Sequence, residues 1–266
     1  MPILAALIAA AVVACGSPTS PAPSSARPDP VDRQCQLPGR PSTVRQERAS
    51  VVQVWQFPSS DVLHRPVIPD DDRYLAYRAA IRVDGADLRT PIADEPTPQS
   101  PEEAQVWRDE RFNSERAHSG EVGVIAPITC LDALFFAHQN ARVAQLDRPT
   151  EYLLSVLRKR VDGEEQLLAV FGASDEMFPP KQFYGFDTVD EYLARGWRLW
   201  YLLHNHTIQR RGDRLALGNP VLSTSDVQLV RNLAAVRGLE SARVTNGFYT
   251  FSARADEFAK MRARSP

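Results

Sequence analysis

An apolar run, Trp200-Tyr201-Leu202-Leu203, stops on His204-Asn205-His206. Five histidines serve the whole 266-residue chain, and two of them are here. In a strand, residues i and i+2 point to the same face, about 6.5–7 Å apart. His204 and His206 can therefore reach one metal ion together, with Asn205 directed away. At a strand end they stand on the rim of a sheet, where ligands have open approach. The plain alternative is a pair that only decorates a strand end.

Two H-x-H settings fail immediately. The metallo-β-lactamase pattern H-x-H-x-D-H meets Ile208 and Gln209 in its last two places. A zinc nucleoside deaminase requires Pro-Cys-x-x-Cys, which this chain lacks. The next candidate ligands lie in Ser223-Thr224-Ser225-Asp226, just ahead of a helical pattern. S-x-x-D at a helix start is also a capping-box analogue, worth about 1 kcal/mol without any chemistry. Both readings can hold, because a first-turn carboxylate and a cap hydroxyl both project at the helix N-terminus. Two imidazoles, one carboxylate and an open fourth position would make a hydrolytic zinc site.

H-x-H followed by S-x-x-D at a helix start resembles the JAMM (MPN-type) zinc metallopeptidase family, over about residues 129–258. The family pattern also has a glutamate upstream, after a helix and at the head of a strand. Glu151 stands in that place; Glu121, in Ser-Gly-Glu-Val-Gly, is the rival. The resemblance implies an α/β fold, a mixed sheet with helices packed on it. It implies Zn2+ held by His204, His206 and Asp226, with a water completing the tetrahedron. It makes Glu151 the general acid/base and Ser223 the hydrogen-bond donor to the oxyanion. The implied substrate is a peptide or isopeptide amide bond; a non-catalytic interaction module on the same fold, or a structural lipoprotein, is the alternative. Thr207 replaces the family's proline, and QRRGDRLALGNPVL makes the gap from His206 to Ser223 longer than the family's.

The elements that must position these residues are legible in outline. Thr129 caps a helix over 130–145, with Leu131, Leu134, Phe135, His138 and Arg142 along one side. EYLLSVLRKR and EQLLAVFGA read as strands joined by the hairpin signal Asp162-Gly163. A short helix capped by Asp187 or Thr188 follows, then the strand WRLWYLLHNH. QRRGDRLALGNP reads as an inserted turn or hairpin, STSDVQLVRNLAAVRG as a helix, and ARVTNGFYTF as one or two strands. Met177, Phe178 and the prolines after them could line a substrate groove, but read rather as a hydrophobic loop anchor. Residues 35–128 form an irregular, β-containing extension packed on the 129–266 domain. In it VVQVWQF suits a strand, LAYRAAIRV a strand or short helix, and GEVGVIAPI an apolar connector, while a charged helix starts near Pro101.

Bulk properties narrow the partners. A net charge of −2 and a pI near 6.2 give no electrostatic footprint for nucleic acid. The apolar run Ile3–Ala14 is shorter than the roughly 20 residues of a membrane-spanning helix and has the length of a signal-peptide core. Val12-Val13-Ala14-Cys15 resembles the bacterial lipobox, although no Lys or Arg precedes the run. Residues 1–14 are then a signal peptide, Cys15 the lipidation site, and residues 15–34 a flexible Ser/Pro-rich tether. Such a protein is exported and membrane-anchored in a bacterial envelope, at the outer membrane by preference, with an envelope peptide or protein as substrate. Cys35 and Cys130 are the remaining cysteines, and in an exported chain they read as a disulfide, with two buried thiols as the alternative.

Overall fold

The computed structural model describes residues 30–82, 98–211 and 214–264. Its strands are β1 (Ser42–Glu47), β2 (Ser50–Pro58), β3 (Val124–Pro127), β4 (Tyr152–Val161) and β5 (Glu164–Ala173). They continue with β6 (Arg198–Asn205), β7 (Gln209–Arg211), β8 (Arg214–Ala216), β9 (Ser241–Thr245) and β10 (Tyr249–Arg254). The α-helices are α1 (Asp61–His64), α2 (Asp72–Arg82), α3 (Pro101–His118), α4 (Cys130–Arg142), α5 (Phe186–Ala194) and α6 (Thr224–Arg237). The proposed signal segment and Cys15 lie outside the described residues.

Local chemistry explains the central hairpin. Asp162 and Gly163 both take positive φ, 50° and 87°, as a two-residue turn between right-twisted strands demands. The turn sets the register Val161 opposite Glu164, which runs unbroken to Tyr152 opposite Ala173. This pair sits inside an eight-stranded sheet of order β1-β2-β5-β4-β6-β9-β10-β3. Among its described strands β6 and β9 pair in parallel and the other neighbours antiparallel, so the sheet is mixed. A parallel pair needs a crossover, and α6 supplies it.

Helices cover both faces, which is why β4, β5 and β6 read as nearly continuous apolar runs. Tyr201 and Leu203 of β6 join the core under α1, α2 and α4; Leu199 and Leu202 join the core under α5 and α6. A break in the β4–β6 register between Val156 and Leu157 shifts this alternation near Trp200. Downstream of it the even-numbered side chains of β6 face α6. α4 is buried almost all round rather than along one stripe, since the sheet lies on one side and α1 and α2 on the other.

The extension builds sheet as well as covering it. β1 and β2 add to one edge through β5, and β3 adds to the opposite edge through β10. The described part of LAYRAAIRV, residues 75–82, is helical within α2, and the connector GEVGVIAPI contains β3. The sulfurs of Cys35 and Cys130 lie at disulfide distance, with Cα atoms 5.7 Å apart. Of the Ser/Pro-rich stretch, Asp32 donates its N–H to Ile68 and Pro30 accepts from Ile68. Gly185 in the left-handed conformation, rather than Asp187 or Thr188, takes the cap position of α5; Asp187 lies in the first turn, paired with Arg45.

Candidate metal centre

β6 ends on Asn205, and the alternation of the strand sends His204 toward α6. His206 continues in register, its N–H donating to the Thr245 carbonyl at 2.9 Å. Asn205 points the other way and ties the strand end down: its Oδ1 accepts from Tyr152 N–H and its Nδ2 donates to the Thr150 carbonyl. From the facing helix, Ser223 and Asp226 form a complete capping box. Asp226 N–H donates to Ser223 Oγ at 3.2 Å, and Asp226 Oδ2 accepts from Ser223 N–H at 2.8 Å. The helix start and the strand end thereby meet.

Three ligand atoms converge there. His204 Nε2 and His206 Nε2 are 3.2 Å apart, and each is 3.3 Å from Asp226 Oδ2. Charge-assisted N–H···O bonds close to about 2.7–2.9 Å, so these edges are long for hydrogen bonds alone. Together the three residues could hold a metal ion. The His206 ring is oriented for it: Nδ1–H donates to the Asn219 carbonyl at 2.6 Å, which leaves Nε2 as the ligand atom.

The electrostatics are those of a partly desolvated charge cluster. Burial pulls the His206 pKa down, but Asp226, Glu151 and the Asn219 carbonyl outweigh it and push it up to about 9. Burial works against the Asp226 carboxylate, yet His204 and His206 hold it well below the usual range. Burial pushes the Glu151 carboxyl up, opposed by His206 and His204, reinforced by Asp226, and opposed again by the Thr207 N–H. Thr207 matters here because a proline would have no N–H to give.

Each residue singled out by the sequence can now be located. His204, His206 and Asp226 form the cluster, with Ser223 at its edge and Glu151 within electrostatic reach of all three. Ser223 Oγ also lies 2.9 Å from Ser225 Oγ. The rival Glu121 pairs with Arg116 at 2.9 Å, at the end of α3. The long segment between His206 and Ser223 forms the hairpin β7–β8, then returns to support the site. A Cβ on Gly218 would meet His206 Cβ at 2.6 Å, so only glycine lets that return leg approach.

Other contributors were not legible. Tyr184 has its phenol pushed up by burial, then by Glu151 and Asp226, which places it near both carboxylates. Glu110 of α3 accepts from both the N–H and the hydroxyl of Thr224, each at 2.8 Å. Burial raises the Glu110 carboxyl; the Thr224 donors oppose this, Asp226 adds to it, and His206 opposes it again. Met177 and Phe178 are not an anchor but stand 58% and 56% exposed, and Met177 O accepts from Glu151 N–H at 2.7 Å. No pattern in α3 marks Glu110 out from the other acidic residues of a charged helix. Compared with family models, curated proteins and solved structures, the chain finds no match.

Proposed function

We propose that this chain is a zinc-dependent hydrolase of peptide or isopeptide bonds, held at a bacterial envelope membrane by lipid on Cys15. The observation that carries the reading is the triangle of His204, His206 and Asp226, with edges of 3.2, 3.3 and 3.3 Å. Ligands 2.0–2.1 Å from an ion at tetrahedral angles stand about 3.3 Å from one another. His204, His206 and Asp226 would hold the ion, and a tetrahedral site would keep its fourth position for water or substrate. When bound, zinc supplies Lewis acidity, bringing a water's pKa toward neutrality and polarising a carbonyl.

The residues divide the remaining work. Glu151 takes the proton from the attacking water as its oxygen bonds to the carbonyl carbon. The same proton goes to the leaving nitrogen as the C–N bond breaks, giving a carboxylic acid and an amine. The raised carboxyl pKa of Glu151 suits a group that must both accept and return a proton. Ser223 donates from its hydroxyl to the oxygen that gains negative charge. Proximity of Cys35 and Cys130 supports an exported protein, since such pairs persist as disulfides in oxidising compartments.

The experiment is metal analysis of the purified chain alongside an amide-hydrolysis screen. Near-stoichiometric zinc is expected in the wild type and in Glu151→Gln, with hydrolysis lost in the variant by about 10²–10⁴-fold. Absence of zinc at neutral pH would end the proposal. Activity surviving Glu151→Gln would remove that residue from its role.

A further inference from the structure

The residues that carry the metal reading all lie in the second half of the chain, yet two of the three ligands lean on a helix from the first half. α3 presents Glu110 and Ser114, four residues apart and so on one helix face. Glu110 Oε1 accepts from Thr224 N–H and from Thr224 Oγ1–H, each at 2.8 Å. Thr224 opens α6 and is only 3% exposed, so its amide has no ready access to water. Ser223 serves the amide of the third helical residue; Glu110 serves that of the first, one of the groups a helix leaves unpaired. Asp226 is two residues on from this contact.

Ser114 supports the other ligand. Asn219 Nδ2 donates to Ser114 Oγ at 3.1 Å, and the carbonyl of the same Asn219 accepts from His206 Nδ1–H at 2.6 Å. α3 is itself locked against the C-terminal segment. Asn113 exchanges two bonds with the Arg262 backbone, and Arg262 pairs with Asp109 at 2.7 Å. The arrangement is a rigid bar with two struts, one to the helix that bears Asp226 and one to the ring that bears the His206 ligand atom. Glu110 also brings a carboxylate to the positive end of α6, beside a site that would take a cation.

Resting on the zinc reading above, we propose that Glu110 and Ser114 are positioning residues of the metal centre, so that α3 is part of the site rather than a cover over it. They touch neither substrate nor metal. Glu110 sets the depth and angle at which α6 offers Asp226. Ser114 holds Asn219, and Asn219 keeps His206 in the tautomer that frees Nε2.

The test is the affinity of the full chain for Zn2+, measured by competition with a chromophoric chelator, in four variants. Glu110→Ala and Ser114→Ala are each expected to weaken zinc binding by roughly 10–100-fold, the range for partners that orient ligands. Glu110→Gln keeps an acceptor oxygen for both Thr224 donors and is expected to stay within about threefold of wild type. Val189→Ala truncates a buried α5 side chain away from these struts and is expected to lower the melting temperature while keeping zinc affinity. Wild-type affinity in folded Glu110→Ala would overturn the inference. So would equal weakening in Val189→Ala, because general loosening would then explain the loss. A wild-type chain that binds no zinc defeats the functional reading itself, an outcome distinct from a zinc-binding wild type with an indifferent Glu110→Ala.

Discussion

Asp132 and Asp226 occupy the same local position and meet different chemistry. Each is the third residue of a helix, α4 behind the cap Thr129 and α6 behind the cap Ser223. The helices lie on opposite faces of the sheet, and both carboxylates face the central strands. Asp132 is fully buried and meets Arg243 at 3.1 Å and the Tyr201 hydroxyl at 3.3 Å, with the guanidinium 3.8 Å from the centre of the Tyr201 ring. Arginine does not surrender its proton in a protein, so that carboxylate has a permanent counter-charge. Asp226 meets His204 and His206, whose ring nitrogens can serve as ligands to an ion. One acidic residue is a structural pair and the other a candidate ligand, and the strand opposite makes the difference.

The largest expected effect separates the two faces outright. His204→Ala, His206→Ala and Asp226→Ala should each reduce zinc from stoichiometric to negligible, whereas Asp132→Asn should keep it; plasma emission analysis of dialysed protein reads both. Zinc lost in Asp132→Asn at an unchanged fold would break the comparison.

Next comes the cost of stranding a charge. Asp132→Ala leaves the mostly buried Arg243 without its carboxylate and should destabilise the fold by about 3 kcal/mol in urea unfolding. Replacing both residues with apolar ones, Asp132→Leu with Arg243→Met, should recover most of that loss. A double variant no better than the single one would mean that the pair does more than balance charge.

The histidines repeat the contrast at smaller scale. His138, on the α4 side, has no carboxylate against its ring among the described residues; burial, aided by Arg142, lowers its pKa to about 4, while its ring contacts Gln53 Oε1 at 2.9 Å. Well above pH 6.5, from about pH 7.5, the ring is neutral in both states and contributes no pH dependence. Below that the unfolded chain takes up the proton first, so stability falls as pH drops, levelling off below about 4 after a loss of about 3 kcal/mol. His138→Gln should flatten that part of the profile between pH 7 and 4. An unchanged slope would shift the acid sensitivity to the carboxylates.

The smallest effect concerns the caps themselves. Thr129→Ala and Ser223→Ala should each cost about 1 kcal/mol of stability. Ser223→Ala alone should also slow hydrolysis, by about 10²-fold or more, if its hydroxyl serves the oxyanion. Equal and small effects on turnover would reduce Ser223 to a cap like its counterpart.

Much of this was local and therefore readable from residues in order. Strand alternation puts His204 and His206 on one side and Asn205 on the other. A cap with its third residue brings Ser223 and Asp226 together. Asp162-Gly163 turns the hairpin, and the break at Pro149 leaves Glu151 at the head of its first strand. These follow from bond geometry and from the few conformations open to a short stretch of chain. Tertiary structure alone decided that the α6 crossover lies on the face to which the two imidazoles point, and that Arg243 lies on the other. It also decided that Glu110 and Ser114, more than a hundred residues before Asp226, reach the same site. The physical reason is that covalent spacing dictates direction only over a turn or a strand pair. Which distant surfaces meet depends on sheet order and on the whole buried core, to which no single segment is party.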